Sequence, residues 1–406
     1  MPDDTPEFSA VTGDRASRPI SRRSALKAMG LGGATILVGA SGAASYRVFD
    51  NGVLDAGSGA PYDAWSQWRD DDSPKGAVGA AILAANPHNT QPWIFHVTDR
   101  SVDVFADPSR DMPAVDPYRR EHHVGLGCAV ENLVLGLGAR GFRAEVKWLP
   151  DPADETYVAA VAFEPAPVST SSLHEVIGDR HSNRGPYRAQ RVPRTVLEGL
   201  SAHVAESPDV QLRWLASDSD REAMSALILE ATEAFIDDRG QSEESFSWFR
   251  NSRDDIDKHR DGPTLDAQGF STTTLTVAKL LPASSRSAGD RFWLDQTRTV
   301  HTATAAAYGI ITVPGGDHVT DRLQAGRVLQ RIHLAATADG LALQHMNQVT
   351  ERIDRERQLG LPATFAPRLQ DLVAQPGRGA VVAFRLGHAI RTARPSPRRP
   401  LGAVIR

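Results

Sequence analysis

Gly127-Cys-Ala-Val-Glu-Asn-Leu-Val-Leu-Gly-Leu-Gly-Ala-Arg-Gly141 is apolar on nearly every face of a helix. A helix with so little surface for water belongs at the centre of a molecule. The pattern returns 199 residues later as Gly326-Arg-Val-Leu-Gln-Arg-Ile-His-Leu-Ala-Ala-Thr-Ala-Asp-Gly340. Gly127/Gly326, Leu135/Leu334, Ala139/Ala338 and Gly141/Gly340 are identical. Small residues let two such helices approach closely. The pair therefore predicts an α+β protein of two related halves, fused into a pseudo-dimer around central helices.

Around the first helix, expected over His122–Arg140, alternating stretches predict strands at Trp93–Asp99, Ser101–Ala106, Ala144–Leu149 and Thr156–Phe163. Residues 164–172 read as a linker. The second half carries strand patterns at Val210–Ala216, Ala306–Val313 and Gly379–Leu386, and helices at Leu173–Asp179, Pro193–Val204, Asp220–Asp237 and Leu323–Asp339. The division is 45–166 for the first half and 173–406 for the second. Within the second, about 239–288 is polar and weakly periodic, and reads as a lid or binding loop.

The chain of 406 residues is 41% hydrophobic, enough for a core. Its net charge of −5 argues against a nucleic-acid partner. The single cysteine, Cys128, excludes an internal disulfide framework and C-x-x-C sites. Residues 1–44 read as an address: Ser21-Arg22-Arg23-Ser24-Ala25-Leu26-Lys27 precedes a soft apolar run, Ala28 to Ala44. This resembles a twin-arginine export signal, with Ala25 in the usual aromatic position, and implies export of a folded chain by that machinery.

Gly136-Leu-Gly138-Ala-Arg-Gly141 spells G-x-G-x-x-G, but it closes a helix instead of opening one, so Gly141 reads as a helix stop. Glu121-His122-His123 reads as a surface cluster, and no metal site is expected. Two other segments carry chemistry. Asn86-Pro-His-Asn89-Thr90-Gln91-Pro-Trp93 places amides between rigid prolines, and an amide offers a donor and an acceptor to a heterocycle edge. Asp179-Arg180-His181-Ser182-Asn183-Arg184 offers forked cations and a hydroxyl, which suit a phosphate. A third cationic element is Pro397-Arg398-Arg399-Pro400-Leu401.

Together these elements resemble the nitroreductase-like FMN flavoproteins, whose pattern has R-R-S-x-R, then P-S-x-x-N-x-Q-P-W, a buried helix ending in a Gly loop, and an Arg-x-Pro-Leu tail. Here the amide element sits in the first half and the arginine element in the second. That order resembles the Acg-type branch, in which one chain mimics the dimer and a lid covers the flavin. Asp107-Pro-Ser-Arg110-Asp-Met-Pro113 and Asp354-Arg-Glu-Arg-Gln-Leu-Gly-Leu361 are similar to that branch as well. Asn86 stands for the usual serine, His181 for the second arginine, and the loop after Gly340 lacks P-I-G-G.

The resemblance implies FMN, one per chain. It places Arg180, His181, Ser182 and Arg184 at the phosphate, with Arg399 as a further cation. It places Asn89, Thr90, Gln91 and Asn347 near the ring or ribityl chain. It implies an oxidoreductase passing hydride from NAD(P)H through FMN to a nitro, quinone or similar small acceptor, in a monomer. A non-enzymatic FMN store, with the lid over the nicotinamide face, stands as the alternative.

Overall fold

The computed structural model describes residues 51–53 and 55–406. The twin-arginine segment lies outside the described residues. No described helix is long and apolar enough to cross a membrane.

Eight strands form two antiparallel sheets: β1 (Trp93–Val97), β2 (Ser101–Ala106), β3 (Phe142–Trp148) and β4 (Tyr157–Pro165), then β5 (Gln211–Leu215), β6 (Ala307–Pro314), β7 (Ala342–His345) and β8 (Arg378–Gly387). The first sheet has order β1-β2-β4-β3, and the second has order β5-β6-β8-β7. These are one topology used twice. The first half contributes helices α1 (Ala64–Gln67), α2 (Ala77–Ala81) and α3 (Arg120–Ala139). After them come α4 (Ser172–Glu175), α5 (Arg194–Ser201), α6 (Asp218–Asp237), α7 (Arg239–Ser247), α8 (Arg253–His259), α9 (Thr272–Leu280), α10 (Arg286–Gln296), α11 (Val319–Ala338), α12 (Gln348–Leu359) and α13 (Phe365–Val373). Helix α3 links β2 to β3, and α11 links β6 to β7, so the central helices of the two halves correspond.

The halves meet where α3 crosses α11. A Cβ on Gly127 would stand 2.0 Å from the Leu323 carbonyl oxygen, and one on Gly326 would stand 2.1 Å from that of Val124. Val124 and Leu323 are themselves 199 positions apart, so each helix offers the same patch to the other, as an internal two-fold requires. Polar contacts lock the crossing. Glu131 on α3 accepts from Arg331 at 2.7 Å and Arg327 at 2.6 Å on α11. Gln330 Nε2 donates to Asn132 Oδ1 at 2.8 Å. One apolar cluster runs through both halves, from Trp93 and Leu133 to Ile332 and Phe384.

Sequence and structure differ in three places. Residues 239–288 are mostly helical, forming α7, α8, α9 and the start of α10. Serines within this segment and the aspartate just before it are helix N-caps: Asp238, Ser252, Ser271 and Ser285 each accept the backbone N–H three residues on. The second difference is β7, α12 and α13, which no periodicity announced. The third is His122 and His123, which are buried; the His122 ring faces Asp111 at 3.0 Å. Gly141, with φ of 80°, does end α3.

Gly127→Ala is expected to lower stability by about 1–3 kcal/mol through overpacking. Gly199→Ala, on the exposed face of α5 with no neighbour within 4 Å of its Cβ, should raise it by roughly 0.5–1 kcal/mol by restricting the unfolded chain. Urea denaturation of both variants checks the crossing: equal shifts would show that the close approach is unimportant.

Candidate functional site

A cavity of about 610 Å³ opens beside the crossing and takes its walls from both halves. The first half contributes Asn86, Pro87 and His88, with Glu121 and Cys128 from α3. The second contributes Ser182, Arg184, Gln344, His345 and Asn347. The segment 239–288 roofs it with Phe246, Phe249 and Phe270, and α10 adds Phe292 and Trp293.

The turn 86–92 is held in an unusual shape. His88, Asn89 and Gln91 all have positive φ, at 44°, 52° and 53°. Non-glycine residues hold such a conformation only when their surroundings over-determine it, at about 1–3 kcal/mol each. Here the amides do that. Asn86 Oδ1 accepts from Gln91 N at 2.8 Å. Gln91 donates to Arg260 O at 2.8 Å and accepts from Arg399 N at 2.8 Å. Asn89 donates to Pro397 O at 2.9 Å. One turn thereby ties the lid and the C-terminal tail to the first half, and this presents Asn86 and His88 to the cavity.

The Arg180-to-Arg184 segment forms a cationic stretch of wall. Arg184 lines the cavity and donates to Ala267 O at 3.3 Å. Arg180 is 2% exposed behind it and donates to Leu83 O at 2.7 Å. Arg398 lies 4.6 Å from the centre of the Trp65 ring, and Arg180 lies 5.7 Å from it. Among the described residues, no carboxylate pairs with Arg180, Arg184 or Arg398. Buried guanidinium without counter-charge is costly. The histidines around them respond accordingly. Burial, then Arg184, holds His88 down at about 4, and burial, then Arg180 and Arg184, holds His345 at about 3. His345 Nε2 faces inward with no hydrogen-bond partner among the described residues.

A second stretch of wall is acidic. Asn347 accepts from Ala383 N at 3.0 Å and lies beside Glu121, whose charged form it favours. Glu121 and Glu351 are 5% and 6% exposed, and both line the cavity. Arg120 Nε donates to Asp354 at 2.8 Å nearby.

Of the expected site residues, the structure gathers Ser182, Arg184 and Asn347 at the cavity. It places the others outside the cavity lining. Asn89 and Gln91 brace the lid and tail and do not line the cavity, and Thr90 is buried with its carbonyl near Arg110. Arg180 sits one layer back. His181 packs on Trp65, with ring centres 4.3 Å apart. Arg399 turns away to Ala403 O at 2.9 Å and lies 3.7 Å from Asp107. The sequence reading missed His88, His345, Glu121, Gln348 and Glu351. His88 was inside the quoted turn. Glu121, read as surface, opens a helix whose remaining faces are apolar, which was the available signal. Buried ion pairs brace the lid internally, Asp261 with Arg250 at 2.7 Å and Asp266 with Lys279 at 2.6 Å. The same two aspartates anchor it to the first half, Asp261 pairing with Arg110 and Asp266 accepting from Tyr62 Oη at 3.1 Å.

Because His88 titrates lower in the fold than in the unfolded chain, the unfolded state takes up protons first as pH falls. Stability is complete above about 6.5 and declines toward about 4. His88→Gln should flatten part of that decline. Inorganic phosphate should also lessen it, by making the protonated ring favourable. Urea midpoints across this range test both; a decline unchanged in the variant would remove His88 from the account.

No family model matches the chain. It is 29% identical over 170 residues to "Putative NAD(P)H nitroreductase Rv3131" of Mycobacterium tuberculosis (strain ATCC 25618 / H37Rv), covering 41% of this chain. The chain spans only 48% of that relative's length. It is 25% identical over 345 residues to "Putative NAD(P)H nitroreductase acg" of the same strain, covering 82% of this chain and 94% of that protein. A match of that length takes in both halves. Among solved structures, the FMN and NADPH-dependent nitroreductase NfnB of sphigopyxis sp. strain HMH aligns over 58% of this chain and 98% of its own, with 18% identity and a TM-score of 0.38.

Proposed function

Starting from a chain whose similarity to the acg protein runs through both halves, we propose that the cavity holds one FMN and that the protein is a flavin-dependent reductase. The observation that carries this reading is Arg184 in the wall of a cavity of about 610 Å³, with Arg180 and Arg398 also buried and no acidic partner for any of the three among the described residues. A phosphate supplies the missing counter-charge, and arginine binds it through paired N–H groups. Arg184 and Ser182 hold the phosphate, with Arg180 adding positive potential from behind. His88 and His345 are neutral donors or acceptors beside it. The amides of Asn86, Gln344 and Asn347 orient the ring, and the aromatic roof from the lid excludes water. When bound, FMN supplies hydride and electron transfer, chemistry no side chain offers. The names of the relatives make NAD(P)H the proposed donor, and a nitro compound or quinone is the proposed acceptor. Export through the twin-arginine route, with the flavin already loaded, belongs to the same proposal.

The aromatic roof also favours a second reading, an FMN store. Phe246, Phe249, Phe270 and Phe292 line the cavity from the lid side, where a nicotinamide needs room.

The purified protein is expected to be yellow and to release one FMN per chain. Arg184→Ala should weaken FMN by about 10- to 100-fold, the effect of roughly 1.5–3 kcal/mol from a charged hydrogen bond. Arg399→Ala should leave binding nearly unchanged. Equilibrium dialysis decides, and the reverse ranking would return the phosphate to the tail. Bleaching of the flavin by NADPH supports the reductase, whereas bleaching by dithionite alone supports the store.

A further inference from the structure

The cofactor reading makes no use of the two carboxyls in the cavity wall. Glu121 opens α3 in the first half, and Glu351 lies on α12 in the second. They line the same cavity from the two halves and raise each other's charge cost, both are more than nine-tenths buried, and Glu121 Oε1 has no hydrogen-bond partner among the described residues. Two carboxylates this close, out of water, cannot both stay ionised. The surrounding charge does not relieve them. Asp116 and Asp354 add two more acids, and Arg120 is the basic group acting directly on the pair. Arg120 aims its Nε at Asp354 and is 3.7 Å from Glu121 Oε1. Arg322, facing Asp116 and Asp354, directs its donors to Gly316 O, Tyr118 O and Asp317. From the lid, Glu244 is occupied by the N–H groups of Ala114 and Val115. Burial, opposed by Arg120 and reinforced by Asp116, pushes Glu121 up to about 7, and Glu351 stands well above the usual carboxyl range. Beside them Gln348, 5% exposed and also lining the cavity, has an Oε1 with no hydrogen-bond partner among the described residues. That polar atom is placed to meet a ligand.

We propose that Glu121 and Glu351 share a single proton and act as the general acid of this cavity, protonating an electron acceptor bound there. Donation rests on the reductase reading; the shared proton does not. A bound reduced flavin would supply the hydride to a quinone or nitro group and would itself be oxidised. The acceptor is reduced, and its oxygen becomes anionic. The carboxyl O–H bond breaks, an O–H bond forms on the acceptor, and the pair is left doubly ionised until water reprotonates it. Asn347, which lies beside Glu121 and lines the same cavity, is a positioning residue for the pair.

Two measurements on the full-length protein test this. Infrared spectra should contain a protonated-carboxyl C=O band that titrates out near neutral pH and is absent from both Glu121→Gln and Glu351→Gln. A wild-type protein without such a band above pH 5, or a band retained in both variants, would overturn the shared proton. With an NADPH-reduced flavin and a quinone, wild-type kcat should fall on the alkaline side. Glu351→Gln should lower kcat by about 10²-fold, the usual worth of a positioned acid, with KM unchanged and the alkaline fall gone. A variant whose pH profile parallels the wild type would overturn donation. Absence of turnover in the wild type would refute the reductase reading and donation with it, while the infrared band would still decide the shared proton.

Discussion

Two glycines facing two carbonyl oxygens hold this molecule together. At Gly127 and Gly326 the backbones of α3 and α11 come so close that no side chain fits between them. Close approach brings more atoms into dispersion contact and leaves room for Glu131 to reach two arginines across the joint. The reciprocity of the contact, Gly127 on Leu323 and Gly326 on Val124, makes the two halves one body. Every wall of the cavity follows from that joint. Glu121 lies one and a half turns before Gly127 on α3, and Asn347 and Gln344 follow α11 after a short turn.

The cavity is costly to maintain. It holds the Arg184 guanidinium without an acidic partner on one stretch of wall, with Arg180 behind it, and more carboxyls than Arg120 can neutralise on another. A protein selected for stability alone would fill such a space with Leu or Ile. Strain in the 86–92 turn points the same way, since three left-handed residues are tolerated there only because the lid and tail bind their side chains. Charge imbalance and backbone strain coincide around one space, which is the physical signature of a ligand site.

The lid shows how composition misleads. Segment 239–288 looks like loop because it is rich in Ser, Asp and Gly, the residues that favour turns. The same residues terminate helices, and here Ser252, Ser271 and Ser285 do so at successive N-caps. Short helices stitched by caps have little amphipathic period to detect, and their stability comes from docking through Asp261 and Asp266. Helix α12 escaped notice for a related reason: its inward face carries Glu351, Arg352 and Asp354, so burial there does not appear as hydrophobicity.

Read alone, the sequence determined the duplication, the central helix pair, most strands, and the pairing of a first-half amide turn with a second-half arginine turn. Those features are written in local periodicity and in short motifs whose chemistry is intrinsic to the residue types. Which atoms face the cavity was settled by tertiary structure. An amide can serve a ligand or a neighbouring backbone equally well, and only the positions of Arg260, Pro397 and Arg399 show that Asn89 and Gln91 serve the backbone. A carboxyl is an ordinary surface anion until another chain segment buries a second one against it, as Glu351 does to Glu121. Charge balance and solvent exclusion depend on groups hundreds of residues apart, and no local window contains them.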